Sequence, residues 1–209
     1  MKLEYFGHSC FCITTSKGTK IITDPYDKAM FPSGLLYSQP TSADIVTVSH
    51  KHSDHNYAQG VSGDFIKVDR ADELTIRDVD ILSLRSYHDD KCGAERGTNL
   101  VFIFRFDGLT LCHMGDIGQR RPKEICDKIG AVDILLLPIG GYYTIDAITA
   151  KEYVDAIKPK VVAPMHCHSA LCDWAVLSDV TAFTRLFEEK DIERLQSNVF
   201  DTDNYLYKK

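Results

Sequence analysis

The chain has 209 residues, 44% of them hydrophobic and 26% charged, with a formal net charge of −6. That length suits one large domain with a substantial core. The acidic balance, with no basic run longer than Arg120-Arg121-Pro122-Lys123, excludes a broad polynucleotide binder. No apolar run approaches the ~20 residues that span a bilayer, and the N-terminal residues lack the pattern of a secretory signal, so the expected location is cytoplasmic. Seven cysteines, an odd number with no CxxC pair, do not form a disulfide framework and are expected to be reduced.

The first third reads as strands. Leu3–Phe6, Cys10–Thr14 and Thr19–Thr23 are rich in β-branched and aromatic residues, with Lys17-Gly18 as a turn. Asp24-Pro25 ends the third strand, because proline cannot donate to a ladder. Asp27 to Pro40 carries Pro, Gly, Ser and aromatics without a period and is expected to be a loop. The run Ile45–Val48 is a buried strand. Phe65–Val68, Glu73–Ile76 and Val79–Leu84 are further strands, and Cys92–Gly97 is a glycine-punctuated loop. Leu100–Phe106 and Leu109–Cys112 flank Asp107-Gly108, the clearest hairpin signal in the chain.

The second half alternates helix and strand. Pro122–Ile129 has proline at its start and Gly130 just past its end, the polarity of a helix. Val132–Leu137 is a strand stopped by Pro138. Thr149-Ala150-Lys151-Glu152 reads as a capping box opening a helix that ends before Pro159. Lys160–Ala163 is a strand. Val180, Phe183, Leu186 and Phe187 lie at helical spacing and predict a C-terminal amphipathic helix. The whole, residues 1–209, is expected to be one α/β domain of two sheets covered by helices.

The chemistry-bearing residues cluster at strand ends. Within Ser49-His50-Lys51-His52-Ser53-Asp54-His55, four strong metal-ligand side chains follow the strand Ile45–Val48. His88 follows Val79–Leu84, His113 and Asp116 follow Leu109–Cys112, and His166 follows Lys160–Ala163. In α/β architectures, ligands gather outside the carboxyl ends of strands. In an extended segment His50 and His52 point the same way, so the pair can hold one ion. Asp54 and His55 come after a turn and suit a second ion ~3.5–4 Å away.

His-x-His-x-Asp-His after a strand resembles the signature of the metallo-β-lactamase superfamily. Gly7-His8-Ser9-Cys10-Phe11, Thr23-Asp24-Pro25, His113-Met114-Gly115-Asp116, Leu137-Pro138-Ile139-Gly140-Gly141 and Pro164-Met165-His166 also match. Together they resemble its small ascorbate-6-phosphate lactonase-like branch, from about residue 3 to residue 168. The resemblance implies a four-layered αββα sandwich with the site along one edge. It implies that His50, His52 and His88 bind a first metal, that Asp54, His55 and His166 bind a second, and that Asp116 bridges them. His113 competes with His88 for the first metal. Tyr142, Tyr143 and Thr144 are implied to face the pocket, and Cys167 is expected to be a spectator. His8 is expected beside the ligands. Lys51, Ile117 and Cys167-His168 depart from the family's usual residues, which bears on substrate preference and not on the ligands.

The reading is a metal-dependent hydrolase with two divalent ions, zinc or manganese, and a bridging hydroxide that attacks a small phosphodiester, lactone or related ester. Asp54 would orient the hydroxide, and His168 or His113 would protonate the leaving group. The expected partner is a small-molecule substrate, with no nucleic acid and no membrane; a homo-oligomer is compatible with the sequence. Two other classes fit the same fold: a diiron oxidoreductase, whose branch carries Glu where His52 stands, and a metal-binding module without turnover.

Overall fold

The computed structural model describes residues 1–31, 42–120, 122–170 and 172–202. Most of the expected loop between Asp27 and Pro40, together with Arg121, lies outside the described residues.

Among the described residues, twelve strands form two six-stranded mixed sheets. The first contains β1 (Lys2–Tyr5), β2 (Phe11–Thr14), β3 (Lys20–Thr23), β4 (Ile45–Thr47), β5 (Ile66–Val68) and β12 (Val199–Asp201), in the order β12-β1-β2-β3-β4-β5. The second contains β6 (Asp72–Ile76), β7 (Val79–Tyr87), β8 (Thr98–Phe106), β9 (Leu109–His113), β10 (Ile134–Pro138) and β11 (Val161–Met165), in the order β11-β10-β9-β8-β7-β6. Each sheet runs antiparallel and then parallel: β1, β2 and β3 alternate before β4 and β5 follow β3, and β7, β8 and β9 alternate before β10 and β11 follow β9. Parallel neighbours share a direction, so the carboxyl ends of β3 and β4 lie at one edge of the first sheet. Those of β7, β9, β10 and β11 lie at one edge of the second.

Period-two alternation builds the layers. In β8, Phe102 and Phe104 face the first sheet while Val101 and Ile103 face the helices. β10 does the same with Ile134 and Leu136 inward and Leu135 and Leu137 outward. The central layer adds Phe11, Ile13, Ile21 and Ile45 from the first sheet. Burying each such side chain contributes about 1.5–3 kcal/mol. The helices α1 (Pro122–Ile129) and α2 (Ala147–Ile157) cover the second sheet through Ile125, Ile129, Ala150 and Tyr153. On the first sheet's outer face, Cys10, Cys12, Ile22 and Val46 pack under Tyr26, Phe31 and Leu177. The described cover there consists of turns and one-turn 3₁₀ segments, where a helical layer is expected.

The hairpin expected at Asp107-Gly108 is present, with both residues at positive φ (52° and 72°), the conformation of a type I′ turn. Two helix boundaries differ from expectation. The start of α2 is Ala147, and its cap is Asp146, whose Oδ1 accepts from the Thr149 N–H at 2.8 Å. An earlier side-chain acceptor took the role that the Thr149 box suggested. The expected C-terminal amphipathic helix is a single turn, α3 (Thr181–Thr184). Phe183 is buried on the helical layer and stacks edge-on with Phe187 at 4.9 Å, while Leu186 is exposed, so the apolar stripe is only partly used. Among the described residues no helix is long and apolar enough to cross a membrane.

Candidate metal centre

The strand ends deliver their side chains to one place. Asp24 follows β3, the segment Ser49–His55 follows β4, His88 follows β7, Asp116 follows β9 and His166 follows β11. The two sheets are stitched together there: the Leu100 N–H donates to the Ser49 carbonyl at 2.9 Å, and the His166 N–H to the His8 carbonyl at 2.9 Å.

His50, His52 and His88 form one triad, with ring centroids 4.6 Å (50–52), 4.7 Å (50–88) and 5.0 Å (52–88) apart. One nitrogen of each lies within 4.8 Å of the others. Asp54, His55, His166 and His8 form a second group of the same compactness. Within it the His55 Nε2 is 3.3 Å from the Asp54 Oδ2. Asp116 lies between the groups: its Oδ2 is 3.0 Å from His55 Nε2, 3.1 Å from His166 Nε2, 3.5 Å from His88 Nε2 and 3.9 Å from His50 Nε2. His8, expected beside the ligands, is closer than that: its Nε2 is 3.0 Å from both Asp54 Oδ2 and His55 Nε2.

Buried carboxylates fix the imidazoles. Asp24 is fully buried and accepts from the Ser49 N–H (2.8 Å), the Ser49 hydroxyl (2.6 Å) and the His55 Nδ1–H (2.9 Å). The Ser49 hydroxyl spends its proton on Asp24, so its 2.9 Å contact with His50 Nδ1 must be donated by the imidazole. His50 therefore holds its proton on Nδ1 and keeps a lone pair on Nε2, while His55 gives its Nδ1–H to Asp24 and turns Nε2 toward Asp116. Asp24 lies close enough to His50 and His55 to count as a ligand, but its oxygens are already taken, so it acts through His55. The motif Thr23-Asp24-Pro25 was visible in the sequence, but only the fold shows what Asp24 touches.

Asn99 does for Asp116 what Asp24 does for His55. Its Oδ1 accepts from the Asp116 N–H (2.9 Å), and its Nδ2 donates to Ser86 Oγ (2.8 Å) and the Met114 carbonyl (2.9 Å). Nothing local in the sequence marks Asn99. Gly115, at φ 55°, makes this approach feasible, since a Cβ there would sit 2.3 Å from Asn99 Oδ1.

His113 and His168 stand apart. The His113 Nε2 is 2.9 Å from the Ser9 carbonyl, and its Nδ1 accepts from the Gly115 N–H at 3.2 Å. With both nitrogens engaged by backbone, His113 has no lone pair to offer, and His88 occupies the position beside Asp116. His168 is half-buried, its Nδ1 lacks a partner, and it does not line the cavity over the cluster. A proton donor must come within hydrogen-bond reach of its leaving group, a role that this geometry does not assign to His113 and that stays an expectation for His168. The cavity is about 1090 Å³, and His52, Asp54, His88, Asp116 and His166 form its floor. Tyr143 lines it, Tyr142 packs on Tyr143 from outside at 4.2 Å, and the buried Thr144 hydroxyl turns to the Ile145 carbonyl. Cys167 packs under the helices, and burial pushes its thiol up to about 12, a poor thiolate ligand.

The electrostatics favour a cation. Burial, reinforced by the charge of His55, pulls His50 down to about 3. Burial, reinforced by His166, pulls His8 down to about 4. Both stay neutral at pH 7, with lone pairs available. Burial would raise Asp116, yet the charges of His166 and His55 hold it well below the usual carboxylate range. Burial would lower His55, but Asp116, Asp24 and Asp54 raise it well above the usual imidazole value. Among the described residues the His50 Nε2 and the Asp116 Oδ1 are buried with no hydrogen-bond partner. Each such atom costs about 1–3 kcal/mol if left unsatisfied. Divalent cations satisfy lone pairs of this kind, and the imidazole and carboxylate set suits zinc or manganese.

Comparison with known proteins agrees with this geometry. Residues 2–166 match the model of the beta-lactamase superfamily domain. A UPF0173 metal-dependent hydrolase of Thermococcus kodakarensis is 27% identical over 216 residues, covering 91% of this chain and 93% of the relative. A Thermotoga maritima crystal structure, provisionally described as a Zn-dependent hydrolase of the metallo-beta-lactamase superfamily, is 32% identical, covers 96% of this chain and 91% of its own, and superposes with a TM-score of 0.74. The metallo hydrolase Igni18 of Ignicoccus hospitalis, at 23% identity, covers 96% of this chain and 98% of its own with a TM-score of 0.70, and shows the fold alone.

Proposed function

The chain belongs to the beta-lactamase superfamily, and on that premise we propose that it is a hydrolase that uses two divalent ions to cleave a small phosphodiester, lactone or related ester. The observation that carries the reading is Asp116. One carboxylate oxygen lies within 4 Å of imidazoles from both groups, and the other is buried without a partner. A carboxylate shared between two cations explains both facts. The relatives' description as metal-dependent hydrolases supports the same class.

In this reading His50, His52 and His88 hold one ion, Asp54, His55 and His166 hold the other, and Asp116 is shared. Bound divalent ions supply Lewis acidity, which brings the pKa of water toward neutrality and polarises the scissile bond. The chain supplies the rest. Asp24 and Ser49 keep His55 and His50 in the tautomers that present Nε2, so no reorganisation is needed at the moment of reaction. Asp54, with 13% of its side chain exposed on the cavity floor, orients the attacking water. The dry core behind the cluster, from Phe102 to Met165, confines water to the cavity side.

Hydrolysis of bis(p-nitrophenyl) phosphate and of a γ-lactone by zinc- or manganese-loaded protein, before and after chelation, tests this. Turnover that disappears with metal and returns on reloading is the expected result. Turnover untouched by exhaustive chelation would refute it.

A further inference from the structure

The loop after His88 is shaped by one buried carboxylate. Asp89 accepts from the backbone N–H groups of Lys91 (2.8 Å) and Gly93 (2.7 Å) through Oδ1, and of Glu95 (3.0 Å) and Arg96 (2.8 Å) through Oδ2. The His88 N–H closes the loop onto the Gly97 carbonyl at 3.0 Å. Gly93, at φ 83°, faces that same carbonyl, where a Cβ would stand at 2.9 Å. Four N–H donors on one carboxylate make a rigid cradle. The loop is thus fixed directly to the strand end that delivers His88.

The loop presents two charged side chains to the cavity, Glu95 and Arg96, and Glu95 is paired with Lys91. Arg120 is likewise paired with Asp90, at 3.5 Å. Among the described residues, no carboxylate pairs with the Arg96 guanidinium. Its Cζ stands 4.3 Å from the centroid of the Tyr143 ring, and both side chains line the cavity alongside His52 and His88. Tyr143 is itself held at φ 72° after Gly141. The contact with the ring uses the cation's charge and leaves its N–H donors for a planar oxyanion. An arginine held half-buried on a rigid loop at a reaction cavity, with no carboxylate paired to it among the described residues, is preorganised for a ligand.

Resting on the hydrolase reading, we propose that Arg96, stacked on Tyr143, binds an oxyanion of the substrate outside the scissile bond, so that the preferred substrates are anionic esters. Arg96 is a specificity-determining residue in this account. The metal ions take the scissile group and the guanidinium takes the distal charge.

The test compares p-nitrophenyl half-esters of dicarboxylic acids with p-nitrophenyl esters of monocarboxylic acids of equal chain length, on metal-loaded wild type, Arg96→Met and Arg96→Lys. At the chain length that fits, wild type should favour the half-ester in kcat/KM by at least about tenfold, the scale of a charge-assisted pair. Arg96→Met should bring that ratio below about twofold, and Arg96→Lys, which lacks the fork, should fall between. Circular dichroism checks that the variants are folded. A wild type without preference at every length, or a preference that survives in Arg96→Met, overturns the proposal while leaving the hydrolase reading intact. If none of these esters is turned over, the hydrolase reading is judged by the phosphodiester and lactone assays above, and binding decides the proposal separately. Trp174, the chain's single tryptophan, lines the same cavity and reports by fluorescence. Glutarate should then bind metal-loaded wild type at least about tenfold tighter than pentanoate and lose that advantage in Arg96→Met. Equal binding of the two by wild type overturns it.

Discussion

Asp24→Asn isolates the support beneath the second metal position. The substitution keeps the shape of the side chain and removes its charge. Asp24 Oδ2 accepts from the Ser49 hydroxyl and the His55 Nδ1–H, and Oδ1 from the Ser49 N–H. An amide cannot serve all three donors. If its NH2 faces Ser49, the buried N–H there is orphaned. If it faces His55, the imidazole must give up its Nδ1 proton and accept there, which leaves its N–H on Nε2, the atom turned toward Asp116 and His8. Bonds to charged acceptors contribute about 1.5–3 kcal/mol and neutral ones about 1, so the fold should lose on the order of 3 kcal/mol. Misorienting a ligand in this way typically weakens metal binding 10- to 100-fold. Denaturant unfolding of the metal-free protein measures the first effect, and competition against a chromophoric chelator measures the second. Asp24→Asn protein that is as stable as wild type and takes up both metal equivalents with unchanged affinity would refute the reasoning.

Other consequences follow from the same geometry. On the two-ion proposal Asp116→Ala removes the shared ligand, so metal content should fall below two ions per chain and hydrolysis by roughly a thousandfold, a barrier increase of about 4 kcal/mol, with elemental analysis and initial rates as the readouts. Gly140→Ala would place a Cβ 2.2 Å from the His166 carbonyl oxygen, so the backbone carrying His166 must shift; a stability loss of about 1–3 kcal/mol and weaker metal uptake are expected in melting and chelator titrations. Because His55 is raised well above the ordinary imidazole value, it carries a proton at pH 7 in the metal-free protein, and metal must displace it. Apparent metal affinity should therefore rise with pH, by about tenfold per unit for one proton released, and a flat profile between pH 6 and 8 would contradict this. Phe104→Ala empties a fully buried position between the sheets and should cost about 3–5 kcal/mol in denaturant unfolding without changing metal stoichiometry.

Much of the architecture is legible in the sequence, for local reasons. Strands such as Leu100–Phe106 announce themselves by β-branched and aromatic residues, and Asp107-Gly108 specifies its own turn. The clustering of the candidate residues is legible because His50, His52, Asp54 and His55 are dense and each further candidate ligand follows an apolar run. What stays hidden is non-local. Strand β12 is a three-residue edge that pairs with β1 from the far end of the chain, and no pattern within Val199–Asp201 signals that partner. Asn99 and Asp24 are unremarkable residue types whose importance comes from what the fold brings to them. His113 has the same sequence credentials as His88, and only the Ser9 carbonyl and Gly115 N–H reveal that its nitrogens are occupied. The helical spacing of Val180, Phe183, Leu186 and Phe187 misleads because one turn suffices to bury Phe183, and the chain then turns away.

The central claim is that two divalent ions share Asp116 and that hydrolysis depends on both. Titrating metal-free protein with zinc or manganese, while following bound metal and ester hydrolysis together, tests it most directly. The account predicts saturation at two ions per chain, with turnover completed by the second equivalent and absent from Asp116→Ala. Saturation at a single ion with full turnover, or full turnover with no metal bound, would contradict it.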